Sequence, residues 1–453
     1  MTFNNVFFIF LFLPVVLFFN FIIKNKILKN LFLVLFSFLF YAWGNPSTLV
    51  LLILYILFNY FTGLEIDNSE GKQRTITFVI GISVQVLVLF LYKYIKLLFP
   101  FLSVELNVPV GLSFFTFSCL SYLIDVYTKK SRAQSNLLHL SLYISFFGKI
   151  SMGPIVQYNQ MEKELEHHPF QIQLFCDGIK LFCIGLCKKA ILADSLSIVH
   201  TNLSASSSVL GSWLFAISYM LQIYYDFSGY SDMAIGIANM FGFHFNKNFD
   251  HPYNALSIQD FWRRWHISLS RWFRDYIYIP LGGNRVSNGK YIRNIFVVWF
   301  LTGLWHGANW TFIIWGLYFG CLLLLEKYVL KDLLEKCPRF ICHIYTWILV
   351  LISWVFFMSP NLTQAFGVLG KMIGINASLY DMNALFYLRS SVVLILIGIV
   401  FSFPVYEKLE SYVLGRWKQK ASIALTIVYV VVFLISISYV ISNTFQSFLY
   451  FAF

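Results

Sequence analysis

Long runs without charge set the terms for this chain. Residues 6–23, 48–64 and 423–441 contain no Asp, Glu, Lys or Arg. Runs of this kind approach the ~20 residues a helix needs to cross the hydrocarbon of a bilayer. Inside that hydrocarbon a helix satisfies its own backbone groups. Further apolar runs occupy 31–43, 75–99, 109–127, 137–152, 174–192, 210–227, 341–357, 362–374, 390–404 and the stretch around 300–325. Only 12% of the 453 residues are charged and 58% are hydrophobic, where a water-soluble chain carries roughly 25% charged residues. The expectation is an all-α polytopic membrane protein, a single integral domain over 1–453 with about 11 crossings by the ~20-residue rule. Residues 226–236, DFSGYSDMAIG, are too polar for a lipid-facing helix and too apolar for a loop. They predict a re-entrant or broken element buried in protein.

The net charge of +12 reads as loop charge that sets orientation. Lys24, Lys26 and Lys29 after the first run place the N-terminus outside. The basic residues form no long soluble patch, which excludes nucleic-acid binding. Seven cysteines show neither metal nor disulfide spacing. No basic region precedes the first run, so it reads as an uncleaved span. His167 and His168 fall in the polar loop 157–171 and read as solvated. No metal site is expected.

The chemistry concentrates in 225–325. FWRRWHISLSRWFRDY, placed on one helix, puts Trp262, Trp265, Leu269, Trp272, Phe273 and Tyr276 on one face. Arg263, Arg264, Arg271, Arg274 and Asp275 fall on the other. Such a helix lies in a membrane interface. It can simply bind lipid headgroups, or it can rim a cavity whose arginines hold an anionic substrate, since the planar guanidinium fork suits phosphate. His266 sits at the edge of the aromatic face beside Ser270 and Phe273. PLGGN (280–284) reads as a turn that lets backbone approach something closely. His306 lies between two apolar runs with Gly303, Gly307 and Asn309 nearby and Trp305 and Trp310 as walls. An ionisable ring at that depth is a functional candidate by default. Desolvation favours the neutral imidazole that a general base requires. Packing across helices is the bland alternative. Asp226 and Asp232 can pair with lysines, carry protons, or brace the broken helix. No Gly-x-Ser-x-Gly elbow, phosphate loop or His-Glu-x-x-His pair competes.

FWRRWHISLSRWFRDYIYIPLGGNR, Arg293-Asn294 and LTGLWHGANWTFIIWGLYFG resemble the signature of the membrane-bound O-acyltransferases, in the bacterial branch that acetylates alginate and peptidoglycan. YAWGNP (41–46), PVGLSFFTFSCLSYLIDVY (109–127), Gly153-Pro154, YDFSGYSDMAIGIANMFGF (225–243) and NFDHPYNALSIQDFW (248–262) fit the same branch. The resemblance covers most of residues 30–330 and weakens beyond 340, where Met358 stands at a position the family often fills with arginine. It implies tilted and broken helices around a central tunnel, and acyl transfer from a cytoplasmic thioester, acetyl-CoA, to an extracytoplasmic polysaccharide. It carries the family's histidines onto His306 and His266 as catalytic residues. Arg263, Arg264, Arg271, Arg274, Trp305 and Asn309 are then the expected substrate-binding set. An SGNH-hydrolase-type acetyltransferase outside the bacterial inner membrane is the implied partner. D-alanyl transfer to teichoic acid by the same fold, and a non-enzymatic transporter, are the rival readings.

Overall fold

The computed structural model describes residues 1–44, 46–98, 108–307 and 309–442. Residues 45, 99–107, 308 and 443–453 lie outside the described residues, as do the side chains of 96–98 and 418–420. Within them the chain is helical, with one isolated bridge between Ser208 and Ser378. It divides into two compact units, 1–183 with 230–247, and 184–229 with 248–453.

The first unit holds α1 (Leu13–Ile22), α2 (Lys26–Ala42), α3 (Ser47–Asn68), α4 (Gly71–Leu98), α5 (Leu112–Tyr127), α6 (Leu137–Ser145), α7 (Tyr158–Glu166) and most of α8 (Ile172–Cys187). Side chains set the helix starts. Asn25 accepts the N–H of Ile27 at 2.9 Å to cap α2, and Asn136 does the same for α6. The run at 137–152 is not one span: α6 is only nine residues long, and turns follow it. Buried polar groups hold those turns. The Lys149 ammonium donates to Ser118 Oγ at 3.2 Å and lies 4.2 Å from the centre of the Tyr143 ring. His168 is not solvated as expected but 5% exposed. Its Nδ1 is 3.0 Å from Phe241 O, its Nε2 is 2.9 Å from Asn30 Oδ1, and its ring stacks on Phe243.

The second unit holds α9 (Asp194–Leu203), the first two thirds of α10 (Val209–Met240), α11 (Ile258–Arg264), α12 (Ile267–Phe273), α13 (Asn288–His306), α14 (Trp310–Leu325), α15 (Lys331–Lys336), α16 (Arg339–Met358), α17 (Leu362–Met372), α18 (Met382–Phe401) and α19 (Val405–Ser442). The re-entrant element expected at 226–236 is instead part of a continuous helix, α10. Its polar residues did fit a protein-buried setting. Lys189 bonds Asp226 at 2.7 Å and Asp194 at 2.8 Å, and the ammonium is 2% exposed. Charge neutralised inside protein keeps a helix intact where lipid would have expelled it.

Among the described residues, six helical stretches are long and apolar enough to cross a membrane: Ser47–Asn68, Gly71–Ile95, Trp310–Lys336, Arg339–Met358, Met382–Phe401 and Ala421–Ser442. Phe8–Ile22 and Leu112–Tyr127 are shorter apolar helices. The protein is a multi-pass membrane protein. The remaining expected crossings rest on short or interrupted helices such as α6, where length and composition alone do not mark a span.

Candidate active site

His266 is built by a break. The single interfacial helix expected over 261–276 is two seven-residue helices, α11 and α12, followed by a π-type turn at Arg274–Tyr278. Between the helices His266 adopts the left-handed conformation, φ 44°. The reason is a segment 18 residues away. Asn248 O accepts the N–H of Ile267 at 2.9 Å, Asn248 Oδ1 accepts the N–H of Ser268 at 3.0 Å, and Asp250 donates its N–H to Arg264 O at 2.9 Å. The backbone groups freed by the break are therefore satisfied. The expected facial division survives it: Trp262, Trp265, Leu269, Trp272, Phe273 and Tyr276 are all buried.

Asn248 also fixes the imidazole. Its Oδ1 is an acceptor, as the Ser268 contact requires, so His266 Nδ1, 3.2 Å away, carries the proton and donates. The Nε2 lone pair is then the basic position. The ring packs edge-on to Phe227 at 4.6 Å. Burial lowers its pKa, which keeps it neutral.

His306 closes α13 and is 5% exposed. Its ring meets Trp305 at 4.7 Å, Trp315 at 5.0 Å and Phe357 at 5.0 Å. Trp310, expected as a wall, is 67% exposed; Trp315 takes that place. Gly303 explains how α13 and α14 come together. A Cβ there would lie 2.5 Å from Phe312 O, and one at Gly316 would lie 2.3 Å from Trp299 O. Only glycine permits this backbone contact.

His266 and His306 line one cavity of about 10 Å³ with Trp262, Trp265, Leu269 and Trp315. That is on the order of one water's space. Trp305 bridges the two rings, 6.3 Å from His266. Trp262 and Leu269 also line a cleft of about 910 Å³. Its other walls carry Arg263, Arg274, Lys327, Lys331 and Arg339, together with Glu326 and Glu335. Of the four expected arginines, Arg263 and Arg274 reach this cleft. Arg264 is turned to Asp260 at 2.9 Å and Asp250 at 3.5 Å, and Arg271 is not part of the lining. Asn309 is likewise no part of either lining. It caps α14 through the N–H of Thr311 and donates to Pro360 O at 2.6 Å. The PLGGN turn closes on protein: Asn294 Nδ2 donates to Leu281 O and Gly283 O, both at 3.1 Å.

Sequence reasoning missed Asn248 and Glu326. The Glu326 carboxylate accepts the N–H of Ile258 at 2.6 Å and of Gln259 at 3.0 Å, and so anchors the start of α11. A lone acid closing the apolar run CLLLLE was its only signal.

Two buried histidines line one small void that shares Trp262 and Leu269 with a basic cleft, in a chain rich in membrane-length helices. This is the build of an integral-membrane transferase. The model of the membrane-bound O-acyltransferase family, MBOAT, matches residues 69–366. The chain belongs to that family and is an O-acyltransferase. It is 37% identical over 403 residues to a probable alginate O-acetylase of Azotobacter vinelandii, covering 84% of this chain and 80% of that one. It is 36% identical over 423 residues to a peptidoglycan O-acetyltransferase of Helicobacter pylori, covering 83% and 80%. A teichoic acid D-alanyltransferase of Bacillus subtilis is 31% identical, over 47% of this chain and 58% of that one.

Proposed function

We propose that the whole chain acts in a bacterial inner membrane as the O-acetyltransferase component that moves acetyl groups from acetyl-CoA to an extracytoplasmic polysaccharide. The observation that carries this reading is the shared cavity of His266 and His306 abutting the basic cleft. Two kinds of relative, acetylating alginate and peptidoglycan, support a glycan acceptor. The D-alanyl alternative has relatives matched over about half of the chain.

Acetyl-CoA carries phosphates that cannot enter hydrocarbon, and a glycan outside cannot reach the cytoplasm. In this reading the cleft takes the donor, with Arg263 and Arg274 on its phosphates, and the thioester reaches the cavity past Trp262 and Leu269. His306 Nε2 or Nδ1 removes the proton from the acceptor hydroxyl, whose oxygen attacks the thioester carbonyl. The C–S bond then breaks, and the departing thiolate takes the proton back from the imidazolium. His266, neutral with Nδ1–H on Asn248, presents a lone pair, so it accepts from a neighbouring hydroxyl of the acceptor, not the one that attacks, and so orients the acceptor. A separate SGNH-type acetyltransferase outside the membrane completes delivery to the polymer.

The test uses purified protein in sealed vesicles, labelled acetyl-CoA, an SGNH-type partner and candidate glycans. Ester label at the face opposite the donor, lost in a folded His306→Ala variant, is the expected result. Label from D-alanyl carrier protein but not from acetyl-CoA would replace the donor. Equal label from wild type and variant would remove His306 from the chemistry.

A further inference from the structure

A base and an orienting ring leave one need of acyl transfer unmet. When the hydroxyl adds to the thioester, the carbonyl oxygen becomes an oxyanion and needs hydrogen-bond donors fixed in advance. His266 cannot serve while its Nε2 is a lone pair. Three further indole donors stand in the walls of the histidine cavity, those of Trp262, Trp315 and Trp354, and Trp354 is turned to the Tyr253 hydroxyl. Trp262 and Trp315 both line the cavity, and both indole Nε1–H groups are buried without a hydrogen-bond acceptor among the described residues. A buried donor left unpaired costs stability, and native proteins rarely tolerate one without cause. The two rings that carry these donors share one void of about 10 Å³, which has room for about one oxygen-sized occupant.

Their placement is enforced from several directions. The Trp262 and Trp315 rings meet edge-to-face at 5.7 Å, and Trp315 stands edge-on to His306 at 5.0 Å. Trp299 packs against Trp262 at 4.6 Å. Glu326 pins the first turn of the helix that carries Trp262. The Gly303–Gly316 contact pins the helix that carries Trp315, one residue away from it. Neither ring is a flexible gap-filler.

We propose that the indole N–H groups of Trp262 and Trp315 are the oxyanion donors of the acyl-transfer step, receiving the carbonyl oxygen of the donor thioester as it turns tetrahedral. This rests on the acetyl-transfer reading for its kinetics, but not for its geometry. The hydroxyl oxygen bonds to the carbonyl carbon, the C=O electron pair moves onto the oxygen held by the indoles, and His306 takes the hydroxyl proton. Collapse re-forms C=O, expels the thiolate, and returns that proton to sulfur. Donors absent from the ground state and engaged in the transition state raise kcat rather than tighten KM.

The experiment replaces each indole singly with a benzothienyl side chain, which keeps the ring shape and puts sulfur in place of N–H. Trp262→Phe and Trp315→Phe accompany it. Thermal unfolding is read first, because it needs no substrate. Loss of an unpartnered N–H should leave the melting temperature of either isostere unchanged or raised. A lowered melting temperature would mean that the protein already uses that N–H, and the assignment would fall. Turnover with labelled acetyl-CoA is read next. Each isostere should lower kcat by about 10²–10³-fold, the range for removing one oxyanion donor, with KM for acetyl-CoA little changed. An isostere with wild-type kcat, or one that changes KM alone, overturns the role. Failure of the wild type itself to transfer acetyl would overturn the acetyl-CoA reading instead, while the unfolding result would still decide whether the two N–H groups are unpartnered.

Discussion

His168 in the first unit and His266 in the second are both almost fully buried, yet they are used in opposite ways. Both nitrogens of His168 face protein oxygens, Phe241 O and Asn30 Oδ1, and its ring lies flat on Phe243. It ties α2 to the end of α10 within that unit. His266 commits Nδ1 to Asn248 and lines a cavity with a second histidine. Burial favours the neutral form in both. Burial and low pKa therefore do not distinguish a structural histidine from a chemical one; what the ring lines does. Two buried lysines, Lys149 and Lys189, repeat the contrast. Lys149 rests on a hydroxyl and an aromatic face, whereas Lys189 holds two carboxylates.

The comparison breaks or sharpens through substitution. The largest effect belongs to His306→Ala, which should lower turnover per folded molecule by about 10²–10⁴-fold, the usual worth of a general base. Detergent-solubilised, monodisperse variant assayed with labelled donor checks this. His168→Ala should do the reverse. It should cost about 1–3 kcal/mol of stability, because a buried oxygen loses its donor, while turnover per folded molecule stays at the wild-type value. A fall in kcat there would erase the distinction between the two rings. Asn248→Ala should lower kcat about tenfold with little change in donor KM, since about one hydrogen bond of orientation is lost. A change confined to KM would mean that Asn248 serves binding. Arg263→Ala or Arg274→Ala should raise donor KM by up to about fivefold at low salt, as exposed charges do, and the effect should shrink as salt is added.

The smallest effect is in pH. Burial first, and then Lys29, hold the His168 pKa down at about 4, where a free histidine sits near 6.5. As pH falls below about 6.5, the unfolded chain takes up a proton that the folded chain refuses. Stability should therefore decline from pH 6.5 toward 4. His168→Gln should flatten the slope in that window; an unchanged slope would assign it to other groups.

Much of this site could be read from the residues, for identifiable reasons. The aromatic face of 262–276 was legible because burial follows periodicity even where the helix does not continue. The break itself was not legible, because Asn248 makes it from outside the local window. DFSGYSDMAIG misled for the same reason: Lys189 neutralises Asp226 from 37 positions away, so a polar stretch stays helical. Gly303 beside His306 is a point of close approach, and the approaching partner is the helix α14. Asn309 looked like a ligand and serves as a cap, a role that asparagine before an apolar run often takes.

The Gly303–Gly316 contact has a mechanical consequence. Two backbones pressed together at this crossing have no side chains between them to rearrange, so α13 and α14 behave as one fixed jaw carrying His306 and Trp315. The rest of the void's wall is divided among several elements: Trp262 on α11, Leu269 on α12, Ile223 on α10, and Trp354 and Phe357 on α16.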